Sequence, residues 1–324
     1  MDFELNADQQ AIIEAVERLL QQQAGPARAN ALRNSNTAEG AYDFALHKAL
    51  DEAGFSGIAR DLQRDDGTLA ALEAALVVEA ISRAGGVVAA ATQLLVAPAL
   101  QADPPAGPIA LCTRRELEQN TPVRYLAQAS TLWVVDDATV TLHDLDNVAV
   151  APVRTSFGYP MGRIEAKGDL QHVGELHNAA ADARRWWRLA LAVEASGTME
   201  AALNCVVGYL KQRRQFGRAI GSFQAVQHRL SECAIQVEAS RWLAREAAYH
   251  NAPEEAAAVA AAFALAAADQ LFTETHQLSG AIGFTHEFDL HVWSMRLLAL
   301  RQELDGVGGA RRAVVNARWR DAAP

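Results

Sequence analysis

Residues 184 to 250 constrain the chain more than any other stretch, because they read as two long helices joined by a short basic loop. Ahead of the loop, Trp187, Leu191, Glu194, Thr198, Ala201 and Cys205 recur at spacings of three and four, with Gly197 where a neighbour can come close. After it, Val226, Leu230, Cys233, Val237, Ser240 and Ala244 step by four and three, a narrow seam for helix packing within this chain or against another. The loop itself carries Arg213, Arg214 and Arg218, two glycines, and Ser222 at a predicted N-cap. Guanidinium groups beside a helix N-terminus seat a phosphate or pyrophosphate well. A solvated charged turn is the other reading, and the loop's chemistry leaves both open.

A chain of 324 residues can bury a sizeable core and hold two or three domains. Alanine-rich runs such as 254 to 269 favour helix. The net charge of -10 argues against non-specific nucleic-acid binding, although a local basic pocket can still take an anionic small molecule. Cys112, Cys205 and Cys233 show neither metal nor disulfide spacing, so a reducing cytoplasm is expected and no metal. No stretch is expected to span a bilayer, and the acidic N-terminus does not read as a signal peptide.

Along the chain, residues 1 to about 101 read as helical. Asn6 and Gln9 form a capping-box pattern ahead of Ile12, Ile13, Val16, Leu19 and Leu20. A polar break covers 25 to 39, helical spacing returns over 44–53 and 68–84, and Gly85-Gly86 precedes an apolar run over 87–100. His47 stands alone and reads as a surface or cap residue. Residues 102–108, rich in proline and glycine, form the clearest linker. Beyond it come short β-branched runs over 132–135, 139–142 and 148–150, with Asp136-Asp137 at the first turn. Asp136, Asp137, Asp144 and Asp146 read as solvated strand edges and turns rather than a cation site. From 182 onward the pattern is helical again, broken at 251–253 and at 279–283, where the glycines serve either a helix C-cap or a close backbone approach to a ligand. The expected division is a helical domain over 1–108, a reduced β-domain over 109–176 and a helical bundle over 177–324.

The string Tyr209-x-x-x-Arg213-x-x-Phe216-Gly217, followed by Phe223-Gln224-Ala225-Val226-Gln227-His228, resembles the signature of the acyl-CoA dehydrogenase family. His276 to Glu287 resembles that family's Gln-x-x-Gly-Gly-x-Gly segment, and Met1 to Leu5 with Gln9-Gln10 resembles its first helix. The resemblance implies a mainly helical fold with a small middle β-domain and a C-terminal four-helix bundle. It also implies flavin-dependent α,β-dehydrogenation of an acyl-CoA, with FAD held between subunits and an electron-transfer flavoprotein as acceptor. By position, Arg213 would contact the FAD diphosphate, Gln215 and Phe216 the adenosine part, and Gln224, Gln277 and Gly280 would complete the cofactor contacts. Ala281 replaces the second glycine of the pattern. The family's catalytic glutamate would fall on Asp305 of Leu304-Asp305-Gly306-Val307, one methylene shorter, or on Trp187 in the family's other arrangement. Asp305 is thus the candidate base, with a helix-terminal turn residue as the other reading. The flavin- and substrate-binding segment of the family's middle domain has no counterpart here. Together these departures resemble the short subunit of a heteromeric dehydrogenase, used for bulky substrates such as steroids and completed as a heterotetramer by a longer relative. A fold that has lost the flavin and serves as a binding or scaffold subunit is the alternative.

Overall fold

The computed structural model describes residues 4–35, 41–63, 67–105, 107–166, 168 and 170–319. Met1, Asp2 and Phe3 of the first motif and Ala106 of the linker lie outside them. Helix α1 (Ala7–Gln23) starts at the expected capping box, with Asn6 and Gln9 bonded reciprocally. Short helices α2 (Pro26–Arg33), α3 (Phe44–Glu52) and α4 (Ile58–Asp61) lead to α5 (Ala71–Ala84), which Gly85 ends in a left-handed conformation at φ +75°. The run over 87–100 contains a π-helical turn, Thr92–Val96, before α6 (Ala97–Leu100). His47 is not alone: its ring accepts or donates at 2.8 Å from the Tyr42 hydroxyl and lies 3.5 Å from Asp51. Propensity reading misses such a contact because the Tyr42 ring is packed inward, where local preference does not place it.

The middle of the chain holds β1 (Ile109–Thr113), α7 (Arg114–Glu118), β2 (Val123–Arg124), β3 (Thr131–Val135), β4 (Val140–Asp144), β5 (Val150–Val153), β6 (Met161–Ile164) and β7 (Gln171–Leu176). One sheet has the order β1-β3-β4-β7, with β1 parallel to β3 and the other pairs antiparallel; a second has the order β2-β6-β5. Trp133, Val135 and Val140 face the main core, while Ala110, Cys112, Leu132 and Val134 close a smaller one under α7. Successive residues of β1 and β3 therefore divide between two cores, as the period-2 pleat requires.

The C-terminal bundle begins with α8 (Ala180–Gln212) and continues through a hairpin of β8 (Arg214–Gln215) and β9 (Arg218–Ala219). It is completed by α9 (Gln224–Tyr249), α10 (Glu254–Ser279), α11 (Leu290–Leu300) and α12 (Gly306–Trp319). Gly197 lets α5 cross α8 closely, since a Cβ there would lie 2.3 Å from the Glu79 carbonyl oxygen. The seam of α9 faces its own chain: Cys233 and Val237 are buried and Val226 and Leu230 pack on the same core. By length and composition α10 could cross a bilayer, which corrects the expectation that no stretch would. Its apolarity is mostly alanine, and it packs on α8, α9 and α12 as the central helix of the bundle.

Candidate functional site

Arg213 is the C-cap of α8, its N–H donating to the Tyr209 carbonyl at 2.8 Å. The β8–β9 turn places Phe216 at φ +55° and Gly217 at φ +79°, the two left-handed residues of a type I′ hairpin. Phe216 is 90% exposed, and the Arg218 guanidinium stacks 3.9 Å from the centre of the Phe223 ring. Ser222 does not cap α9. Its hydroxyl donates to the Ala219 carbonyl at 2.7 Å, and Phe223 is the N-cap, so no side chain satisfies the first N–H groups of the helix. The 3₁₀ turn that closes the hairpin draws the serine back, which the local pattern does not reveal.

Helices α9 and α10 run antiparallel, joined across 250–253 and held by Arg229 to Glu274 at 2.6 Å. That pairing brings Gln224, at the start of α9, and Gln277 and Gly280, at the end of α10, to the same end of the bundle as Arg213. Gly280 adopts φ +64° and ψ -147°, a region open essentially to glycine alone, so it acts as the C-cap of α10. Arg213, Gln215, Phe216, Gln224, Gln277 and Gly280 are all exposed. Guanidinium, amides, an exposed ring and an uncapped helix N-terminus converge there, a donor set that fits the diphosphate side of a flavin nucleotide.

Asp305 belongs to the other end of the molecule. Leu304, Asp305 and Gly306 take successive positive φ values of +50°, +61° and +59°, a strained turn between α11 and α12. The Asp305 carboxylate pairs with Arg312 at 3.2 Å and Arg115 at 3.8 Å on the wall of a cleft of about 500 Å³. That cleft meets α8 at Arg184 and Arg188. The roughly 25 residues of helix from Arg188 to Arg213, rising about 1.5 Å each, hold Asp305 and the hairpin end about 40 Å apart. The motif residues thus divide into two groups within one chain.

Just inside the Asp305 end, the three units meet at a buried cluster of charged and aromatic side chains. Trp187 and the turn holding Asp305, the two places where the resemblance expects a base, converge on Glu303. The Trp187 indole donates to Glu303 at 2.9 Å. Arg124 forms an ion pair with Glu303 at 2.9 Å, donates to it at 3.3 Å and, as a fork, donates to Glu194 at 2.7 and 2.9 Å. Tyr125 and Tyr159 flank the Arg124 guanidinium, and Arg296, 1% exposed, donates to the carbonyls of Gly85, Gly86 and Gly158. Burial pushes the Glu303 carboxyl up to about 7, with Arg124 pulling the other way and Glu194 adding to the rise. Arg124 keeps its charge: the two carboxylates hold its pKa above the usual arginine range against the cost of burial. Glu303 Oε2 accepts from Trp187 and Arg124, and Oε1 is ion-paired with Arg124 inside this packing. The junction therefore does not present a free carboxylate. A sequence signal did exist: Glu194 falls on the buried stripe of α8, where a charge must find a partner.

A helical unit, a small two-sheet unit and a bundle with an arginine–aromatic hairpin at one end define the acyl-CoA dehydrogenase type of fold. The chain belongs to the acyl-CoA dehydrogenase family, matching its N-terminal domain over residues 6–103 and its C-terminal domain over 178–318. It is 36% identical over 132 residues to acyl-CoA dehydrogenase IpdE2 of Mycobacterium tuberculosis, a match spanning 40% of this chain and 40% of that relative. The fold is shared with the ChsE4-ChsE5 complex from Mycobacterium tuberculosis at a TM-score of 0.81 and 20% identity, covering 100% of both chains. It is also shared with a variant of the Tcur3481-Tcur3483 steroid ACAD, at a TM-score of 0.80 and 22% identity, covering 98% of this chain and 99% of that one.

Proposed function

We propose that this chain is the cofactor-holding, non-catalytic subunit of a heteromeric acyl-CoA dehydrogenase. The observation that carries this reading is the separation of about 40 Å between the hairpin end and Asp305. A flavin seated by Arg213 lies far beyond the reach of Asp305 in the same chain, so a second subunit, in this reading a longer family member, brings the base and the other wall of the site. When bound, FAD supplies the hydride acceptor for α,β-dehydrogenation of an acyl-CoA, with an electron-transfer flavoprotein taking the electrons onward. Arg213 would neutralise the diphosphate, Gln224 and Gln277 would donate from their amides, Gln215 and Phe216 would line the adenosine side, and Gly280 would allow a close backbone approach. The domain boundaries we assign lie near 108 and 176, with both end units engaged by the partner. Pairing of family members in the ChsE4-ChsE5 complex and the steroid substrate class named for the Tcur3481-Tcur3483 protein support a hetero-oligomer acting on a bulky, steroid-like acyl thioester in the cytoplasm.

The sealed junction around Glu303 favours a second reading, a scaffold subunit without flavin. Visible absorption of the chain purified alone and with a co-expressed longer family member separates the two. Flavin in the complex, and its weakening by roughly 1.5–3 kcal/mol in Arg213→Ala, is the expected result. A complex that is active and yet holds flavin as tightly after Arg213→Ala would remove Arg213 from the cofactor site.

A further inference from the structure

Backbone strain gathers on both sides of the Arg124–Glu303 contact. Among the described residues, the bulky side chains held at positive φ are Tyr125, Phe216 and Leu304. Tyr125, at φ +63°, directly follows Arg124, and Leu304, at φ +50° and ψ +46°, directly follows Glu303. A left-handed tyrosine or leucine persists only where its surroundings over-determine it. The turn over 303–306 is also tightly tucked in. A Cβ on Gly306 would lie 2.4 Å from the Arg301 carbonyl oxygen, and one on Gly309 would lie 2.5 Å from that of Leu304. The Leu304 side chain is itself part of the main core.

Charge holds this turn from both sides. Inward, Glu303 meets Arg124 and the Trp187 indole, each at 2.9 Å. Outward, the exposed Asp305 carboxylate meets Arg312 and Arg115, in pairs that solvent weakens. The inward side is short of positive charge, because Arg124 already gives two donors to Glu194. The charged groups that bear on Glu303 are Arg124 of β2, Glu194 of α8 and Glu116 of α7. Ionised Glu303 therefore finds one guanidinium and two further carboxylates. Tyr159 lies against that guanidinium, and Arg296, on the same ring, is engaged by the carbonyls of Gly85, Gly86 and Gly158. A strained turn is thus closed by a carboxylate whose charge its surroundings only partly balance.

We propose that the turn over 303–306 is a proton-operated latch, closed over the Arg124–Trp187 cluster while Glu303 holds a proton and opening when Glu303 ionises. Opening relaxes the left-handed backbone, lifts Leu304 out of the core and joins the cluster to the cleft that Leu304 and Asp305 line. Burial, with Glu194 and against Arg124, pushes the closed-state carboxyl up to about 7 from 4.5. The opened turn returns Glu303 to water and to its ordinary value, so opening releases a proton between 4.5 and about 7. Through that window each pH unit makes opening up to about tenfold more frequent, and above about 7 the frequency levels off. The latch does not rest on the flavin reading, because Arg213 lies at the other end of α8.

Solvent exchange of the indole N–H groups tests it, followed by nuclear magnetic resonance on the isotopically labelled full chain from about pH 5 to about pH 8. Trp187, which donates to Glu303, reports the latch, and Trp133, fully buried in β3, reports global unfolding. Protection of Trp187, taken relative to a free indole at the same pH, is expected to fall up to about tenfold per pH unit and to level off near 7. It is expected to stay below that of Trp133 throughout. Glu303→Gln, which keeps an oxygen for the indole, is expected to remove the slope, and Glu194→Gln to move the levelling point to lower pH. Protection of Trp187 that ignores pH, the same slope in Glu303→Gln, or exchange of Trp187 only as rare as that of Trp133 would overturn the latch. The wild-type profile decides even where a variant fails to fold, because Trp133 is an internal reference.

Discussion

Phe216 shows at the scale of one residue how function and local preference part company. A type I′ turn favours Asn-Gly, and a bulky aromatic held at φ +55° with 90% of its surface exposed is neither well packed nor conformationally relaxed. Phe216→Asn is therefore expected to raise stability by about 0.5–1 kcal/mol in thermal unfolding, while lowering flavin capture by the complex. Unchanged flavin capture would make the ring ornamental to the site. Glu303 carries a pH-dependent expectation with a definite sign. Its carboxyl rises from 4.5 to about 7 on folding. Between those values the folded state holds the proton that the unfolded chain releases, so this group makes stability fall as pH rises through that window. Glu303→Gln is expected to flatten that part of the stability–pH curve, by at most about 3 kcal/mol, and an identical slope in both proteins would refute the assignment. The family resemblance pointed to Arg213, Gln224, Gln277 and Asp305 because each sits in a short local motif. Glu303 and Arg124 were not legible, since their pairing joins residues 179 apart.

Helix periodicity carried the elements well, because a helix that buries one face must repeat it every three or four residues. Cys233 and Val237 of the α9 seam are buried as that spacing requires, and the Asn6–Gln9 capping box forms as read. What periodicity cannot show is which helix lies opposite. Gly197 was legible as a close-approach position, but its partner, the Glu79 carbonyl on α5, was not. The same crossing is tied by Glu79, which accepts from Arg241 at 2.7 Å and Arg245 at 3.0 Å of α9. Gly197→Ala would drive a methyl group into backbone that cannot step aside. It is expected to cost roughly 1–3 kcal/mol, read as a lower melting temperature, with flavin binding at the hairpin retained when the protein is kept cold. An unchanged melting temperature would mean that α5 and α8 cross further apart than the structure shows.

At the scale of the whole molecule, the length of α8 decides what one chain can do. Arg213 and Asp305 flank the same helix at opposite ends, so no bending of side chains unites them in one site. Asp305 is also held by two arginines in a strained turn, and the carboxylate nearest to it in sequence, Glu303, has both oxygens engaged. A flavin at the hairpin end can meet a base only if a partner presents one. Variants in the assembled complex resolve this without ambiguity about folding, because Asn tolerates the left-handed conformation of Asp305. Asp305→Asn in this chain is expected to leave acyl-CoA oxidation by the complex within about twofold, whereas loss of a general base costs roughly a hundredfold or more. Arg213→Ala in the same chain is expected to lower bound flavin and activity together, with activity recovering as FAD is added in excess. A chain that purifies alone as a yellow, active homo-oligomer and loses turnover on Asp305→Asn would reverse the assignment, making this chain its own catalyst and Asp305 of a neighbouring copy the base.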